Sequence, residues 1–80
     1  MTHLYNQPIS VRAHVDGCPR QFIWRGSIHE VARVVDAWIL QTMWWQAEVH
    51  RSYYRVITPE WGVYDLFREK NQWYIATRLD

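Results

Sequence analysis

The 80-residue sequence has one cysteine, three glycines, three prolines and no real excess of either charge. Each scarcity excludes something. A lone Cys18 cannot form an intramolecular disulfide, so the fold must hold without covalent staples, and a reducing compartment is expected. Nine basic against eight acidic residues leave a net charge of +1, far from the basic excess of a general duplex-DNA binder. No stretch approaches the ~18 consecutive apolar residues of a membrane span. Residues 1–8 carry no basic segment leading into an apolar run, so no secretory leader is expected. These absences together predict a cytoplasmic protein with no membrane contact. Gly17, Gly26 and Gly62 stand apart from one another, so no glycine-rich phosphate loop is available.

Aromatic residues are plentiful. Six Trp, five Tyr and two Phe stand in a chain long enough for one domain only. A small domain buries a modest fraction of its surface, and each large ring removes ~150–250 Å² from water, so a few rings can replace many aliphatic residues. The basic side is lopsided, with eight Arg and one Lys, which suits planar, stacked and bidentate contacts.

The patterning is that of strands. Residues 1–8 read as a polar lead ending in Pro8, and residues 9–80 as one small domain. Ile9, Val11, Ala13 and Val15 alternate with Ser10, Arg12 and His14, the period of a half-buried strand. Asp16-Gly17 then signals a turn, and Gln21 to Arg25 a second strand with Phe22 and Trp24 on one face. Residues 28–42 fit two templates. Ile28, Val31, Ala32, Val35, Trp38 and Ile39 have helical spacing, and Ser27-x-x-Glu30 matches a capping box. Alternation also fits, with Glu30 and Asp36 as exceptions, while Gly26-Ser27 and the valine content favour a hairpin arm. Three strands follow, at 52–58, 63–68 and 73–79, joined by the turns Pro59-Glu60-Trp61-Gly62 and Glu69-Lys70-Asn71-Gln72. Short loops between them make an antiparallel meander.

An ordered set of segments resembles a known family. It runs through Phe22-Ile23-Trp24-Arg25-Gly26, Val31, Val34-Val35, Trp44-Trp45 and Arg51-Ser52-Tyr53-Tyr54-Arg55-Val56. It continues through Val63-Tyr64-Asp65-Leu66-Phe67-Arg68 to Trp73-Tyr74-Ile75. This order is similar to the C-terminal region of ImuB-type proteins, inactive paralogues of Y-family translesion polymerases, and to small stand-alone bacterial proteins. The resemblance covers roughly residues 19–79. It implies an accessory role in bacterial DNA-damage tolerance and reads residues 28–40 as the second arm of a hairpin. The chain has no polymerase fold and no Gln-x-x-Leu-Phe clamp-binding segment, so the adaptor role of whole ImuB is not carried over.

The expected fold is therefore mainly β: a small antiparallel sheet or barrel-like meander of five to six strands. The alternative is α+β with one helix at about 28–41. The expected core is Phe22, Trp24, Val31, Val35, Trp38, Tyr54, Val56, Leu66, Phe67, Trp73 and Ile75.

For function, the chemistry of catalysis is missing. Asp16, Glu30, Asp36, Glu48, Glu60, Asp65 and Glu69 are scattered, and general acid–base work needs convergent groups. His3, His14, Cys18, His29 and His50 have no metal-ligand spacing, so no metal and no cofactor are expected. A non-enzymatic protein-interaction module is expected, as a monomer or weak homodimer, with a DNA-repair or polymerase component as partner. The candidate surface is Trp45, Arg51, Tyr53, Arg55, Tyr64, Arg68, Tyr74 and Arg78, because Trp, Tyr and Arg dominate binding hot spots. The same rings and cations could instead stack single-stranded bases and hold phosphates. Of Trp44 and Trp45, neighbours on an extended chain, one is expected in the core and one at an edge.

Overall fold

The computed structural model describes residues 3–44 and 47–79, and the side chains of Trp44 and Ala47 are left aside. The described chain is all strand and turn. β1 spans His3–Ala13, β2 Pro19–Trp24, β3 Ser27–Glu30, β4 Arg33–Trp44, β5 Ala47–Ile57, β6 Val63–Glu69 and β7 Gln72–Leu79. They form one seven-stranded antiparallel sheet in the order β3-β2-β1-β7-β6-β5-β4. Mainly β is correct; the strand count is seven rather than five or six, and residues 28–41 hold most of β3 and much of β4, joined by Val31 and Ala32, in place of the alternative helix. The helical spacing there came from a strand interrupted by a bulge. Val34 faces Val56 and Asp36 faces Arg55, so Val35 is an extra residue that shifts the phase of alternation.

The two ends of the sheet come together at one corner only. β3 and β4 stand at opposite ends of the strand order, yet only Val31 and Ala32 separate them. Three Cα–Cα steps reach at most ~11 Å. The sheet must therefore roll until its ends nearly touch. Val31 N–H donates to the Arg20 carbonyl, continuing the β2–β3 ladder. Ala32 N–H donates to the Ile57 carbonyl, continuing the β4–β5 ladder. One bent strand thus passes from β2 to β5, leaving an open but rolled sheet.

The turns follow local chemistry. Arg25 and Gly26, with φ of 52° and 77°, form the two-residue link of the β2–β3 hairpin, one position before the expected Gly26-Ser27 turn. Two consecutive positive φ values match the twist of the flanking strands. The residues read as a polar lead, from His3 to Pro8, belong to β1 and pair with β7. The cause is tertiary: the Tyr5 ring lies 4.9 Å from Trp24, and the β7 edge offers a ladder. The β2 ladder covers only Ser10–Ala13, so Pro8 sits where a missing N–H is tolerated.

Register separates two faces. The inner face carries Ile9, Phe22, Trp24, Val56, Tyr64, Leu66 and Ile75, the buried core, with Tyr5, Val11, Val31, Val34, Tyr54 and Trp73 packed against it. Burying each such side chain contributes ~1.5–3 kcal/mol. Two expected core residues lie elsewhere, and a third, Phe67, is buried as expected but outside the inner cluster. Val35 is the bulged residue and is exposed, and Val34 takes its place. Trp38 pairs with Tyr53, on the outer face. Phe67 is buried, but it points away from its neighbour Leu66, as adjacent strand residues must.

Candidate interaction surface

The outer face of β4 to β7 carries a row of rings, one per strand. Trp38 stacks on Tyr53 with centroids 5.2 Å apart and planes 5° from parallel. Tyr53 lies 5.1 Å from Phe67. Phe67 stacks on Tyr74 at 4.8 Å and 14°. The register produces the row: Trp38 faces Tyr53, Tyr53 faces Phe67 and Phe67 faces Tyr74 across successive ladders. Cross-strand ring pairs of this kind stabilise a sheet beyond the area they bury. Phe67, in the middle, is only 2% exposed, while Trp38 at the end is 36% exposed.

Two arginines cap the row. The Arg51 guanidinium carbon sits 4.5 Å from the Phe67 centroid, and that of Arg55 sits 5.5 Å from Trp38. Both cations are also held by acids. Arg55 Nε and Nη2 donate to Asp65 Oδ1 and Oδ2 at 2.8 and 3.1 Å, a two-pronged pair. Arg51 Nη1 donates to the Tyr53 hydroxyl at 3.4 Å. Arg51 Nε is buried and lies 3.5 Å from Glu69 Oε1, a charge contact that lacks the geometry of a hydrogen bond. The Arg51 pKa is raised by the Tyr53 hydroxyl bond, against desolvation, with Tyr53 and Glu69 adding attraction. That of Arg55 is raised by the Asp65 bond, against desolvation, with Asp65 and Asp36 adding attraction. Both groups stay guanidinium at any working pH.

The expected surface residues divide. Arg51, Tyr53, Arg55 and Tyr74 come together on this face. Tyr64 and Arg78 lie on the inner face, where Arg78 sits 5.6 Å over the Tyr64 ring. Tyr64 is buried in the core, so it is not a surface residue. The bulge between Asp65 and Leu66 on the β6–β7 ladder brings Arg78 opposite Tyr64, a step that alternation does not foresee. Arg68 also faces inward by register, and its guanidinium is spent on the β6–β7 turn, donating to the Lys70 carbonyl and Asn71 Oδ1 at 3.1 and 3.4 Å. Trp45 lies outside the described residues.

Trp38, Phe67 and Asp65 were absent from the expected surface. Their signal was present in part: Phe67 alternates with Leu66, and Asp65 sits on an otherwise apolar strand.

A second outer feature adjoins the row. The loop after β5 runs Thr58-Pro59-Glu60-Trp61-Gly62. Trp61 N–H donates to the Thr58 carbonyl, and Gly62 N–H donates to Thr58 Oγ1 at 3.1 Å. A Cβ on Gly62 would meet Tyr64 Cε1 at 2.8 Å and Thr58 Oγ1 at 2.9 Å, so only glycine lets the loop close onto the core. Trp61 itself is 85% exposed. With Ala32, Arg33, Ile57, Thr58 and Pro59 it lines a cleft of about 360 Å³.

Among the described residues, no three His, Cys, Asp or Glu side chains gather as metal ligands, and no helix is long and apolar enough to cross a membrane. Comparison with known proteins gives one match. Residues 1–78 match a family model described as Domain of unknown function (DUF6504), and the chain belongs to that family. No curated protein and no solved structure matches the chain.

Proposed function

We propose that this member of the DUF6504 family is a non-catalytic protein-interaction module whose partner docks along the free edge of β4. The observation that carries this reading is the chemistry of that edge. β4 is the last strand in the sheet order, so its outer N–H and C=O groups have no neighbouring strand among the described residues. From Ala37 to Trp44 it has no charge, proline or glycine. Trp38 and Leu40 are exposed on one face, and Ile39 and Met43, at 64% and 80%, on the other. Sheets ordinarily guard such edges with charge, proline or a bulge. Here the only guards are Arg33, the Val35 bulge and Asp36, all at the start of the strand. An added extended segment would satisfy the backbone and cover these apolar side chains.

The alternative, a single-strand nucleic-acid binder, needs open ring faces and free cations. The outer rings stack on one another, and Arg51 and Arg55 are drawn to Glu69 and Asp65. A base would find mainly ring edges there. These contacts favour the protein reading. The resemblance to the ImuB tail supports a bacterial DNA-damage-tolerance protein as the partner.

The test compares capture by the wild-type chain and by an Ile39→Lys/Met43→Lys variant. The expected result is recovery of a translesion or repair component by the wild type and its loss in the variant. Equal recovery by both would overturn the edge as the docking site. Salt-sensitive binding of a single-stranded oligonucleotide, with no protein recovered, would favour the alternative.

A further inference from the structure

Most of the outer rings are explained by packing against their neighbours. Trp61 is not. It is the most exposed of the described Trp residues, although the turn holds its backbone. Its φ is 67°, in the left-handed region. In a hairpin loop built on a four-residue turn, the residue after the turn's centre often takes this conformation, and glycine or asparagine usually fills it. A bulky aromatic residue there is an outlier, and such strain tends to persist at functional sites. The strain gains no burial, because the indole stands in solvent.

The indole forms one wall of the cleft at the start of β4. Ile57, Pro59 and Ala32 supply an apolar lining, and Arg33 is its one charged residue. Among the described residues the Arg33 guanidinium has no ion-pair or hydrogen-bond partner, unlike those of Arg51 and Arg55 on the same face. Glu60, on the same turn, lines a separate cleft with Ser27, His29 and Arg78. The site therefore combines an apolar wall, an exposed indole on a hydrogen-bonded turn and one cation without a described partner. It is a surface groove, not an enclosed pocket, which suits a side chain presented by another chain better than a buried small ligand.

We propose that this cleft seats an acidic–apolar peptide segment of a partner protein. A branched aliphatic side chain lies against Trp61, Ile57 and Pro59, and an Asp or Glu carboxylate pairs with Arg33. In an extended segment, residues two apart share a face and lie ~7 Å apart, so the motif is an acid and an aliphatic separated by one residue. The site goes beyond the β4 edge and does not depend on it.

The experiment follows the Trp61 indole N–H in the NMR spectrum of the full chain. The probe is acetyl-Ser-Glu-Thr-Leu-Val-amide, and the control replaces Glu by Lys. The expected result is a saturable shift of the Trp61 indole and of the Ala32 and Ile57 amides with the Glu peptide. Binding of the Lys peptide should be about tenfold weaker. Arg33→Glu should reverse that preference, and Trp61→Asn should abolish binding of the Glu peptide, read at the Ala32 and Ile57 amides. The Ile39→Lys/Met43→Lys variant should bind the Glu peptide as the wild type does, which separates this site from edge docking. No shift at Trp61 with millimolar peptide, or equal binding of the Glu and Lys peptides, would overturn the proposal.

Discussion

Phe67→Ala tests whether the outer rings are a second packed layer. Phe67 is 2% exposed, between Tyr53 at 5.1 Å and Tyr74 at 4.8 Å, with Arg51 4.5 Å above its ring. Truncating a buried Phe to Ala costs about 3–5 kcal/mol, as lost transfer energy plus a cavity. The low end applies, because flexible Arg51 and the flanking Tyr rings can partly close the gap. The expected loss is therefore ~3 kcal/mol, a large share of the ~4–12 kcal/mol available to a domain of this size. At about 4–8 °C per kcal/mol, the melting temperature should fall by about 12–24 °C. Trp38→Ala is the internal control. Trp38 has Tyr53 on one side and is 36% exposed, so its loss should cost only ~1 kcal/mol. Urea unfolding followed by circular dichroism gives both values, and an unchanged m-value shows that the unfolded reference is unchanged. If Phe67→Ala costs no more than Trp38→Ala, the reasoning fails, and the row is ornament on a sheet held by its inner face alone.

Other perturbations have definite signs. Arg55→Met strands the Asp65 carboxylate, which is 7% exposed, while Asp65→Asn leaves an Arg55 that can reach solvent. With the Arg55 side chain 38% exposed, screening holds the first loss to ~1–2 kcal/mol and the second below ~1 kcal/mol, with a double mutant less harmful than the sum. The opposite order in denaturant unfolding would contradict the assigned burial. Trp61→Asn should stabilise the chain by ~1 kcal/mol, since left-handed backbone costs a residue such as Trp ~1–2 kcal/mol and the exposed indole contributes little packing; a lower melting temperature would show that the indole packs after all. The Cys18 thiol pKa is raised by desolvation, then by the Asp16 charge and its hydrogen bond. Its alkylation should therefore reach half-maximal rate at a higher pH than for a free thiol, and Asp16→Asn should lower that midpoint. The linked stability is full below the unfolded thiol's pKa and is lost as pH rises through the folded value, so unfolding free energy should decline in alkaline solution. An alkylation midpoint unmoved by Asp16→Asn would remove Asp16 as a cause.

Much of the architecture was legible in the residues. Period-2 alternation marked β1, β5, β6 and β7, because a sheet with one buried face imposes that period on its side chains. Turn residues placed four of the hairpins to within about a residue, but not the β4–β5 hairpin, where β5 begins at Ala47 rather than Ser52. That a lone Cys18 cannot close an intramolecular disulfide, and that the three glycines form no glycine-rich loop, follows from composition and spacing, which need no coordinates.

What only the tertiary structure decided involves long-range registration. A single bulge at Val35 converts an apparent helical period into a strand and moves Asp36 beside Arg55. Nothing local to residues 33–36 announces it, because the extra residue is set by the ladder to β5. The rolling of the sheet depends on Val31 and Ala32 being shared between partners far apart in sequence, Arg20 and Ile57. The inward place of Arg78, opposite Tyr64, depends on the β6–β7 bulge, which alternation cannot count. Trp61 illustrates the limit most clearly. Its place in a turn was readable, but its left-handed backbone and unpaired cleft arise from how Thr58 and Gly62 close the loop onto Tyr64.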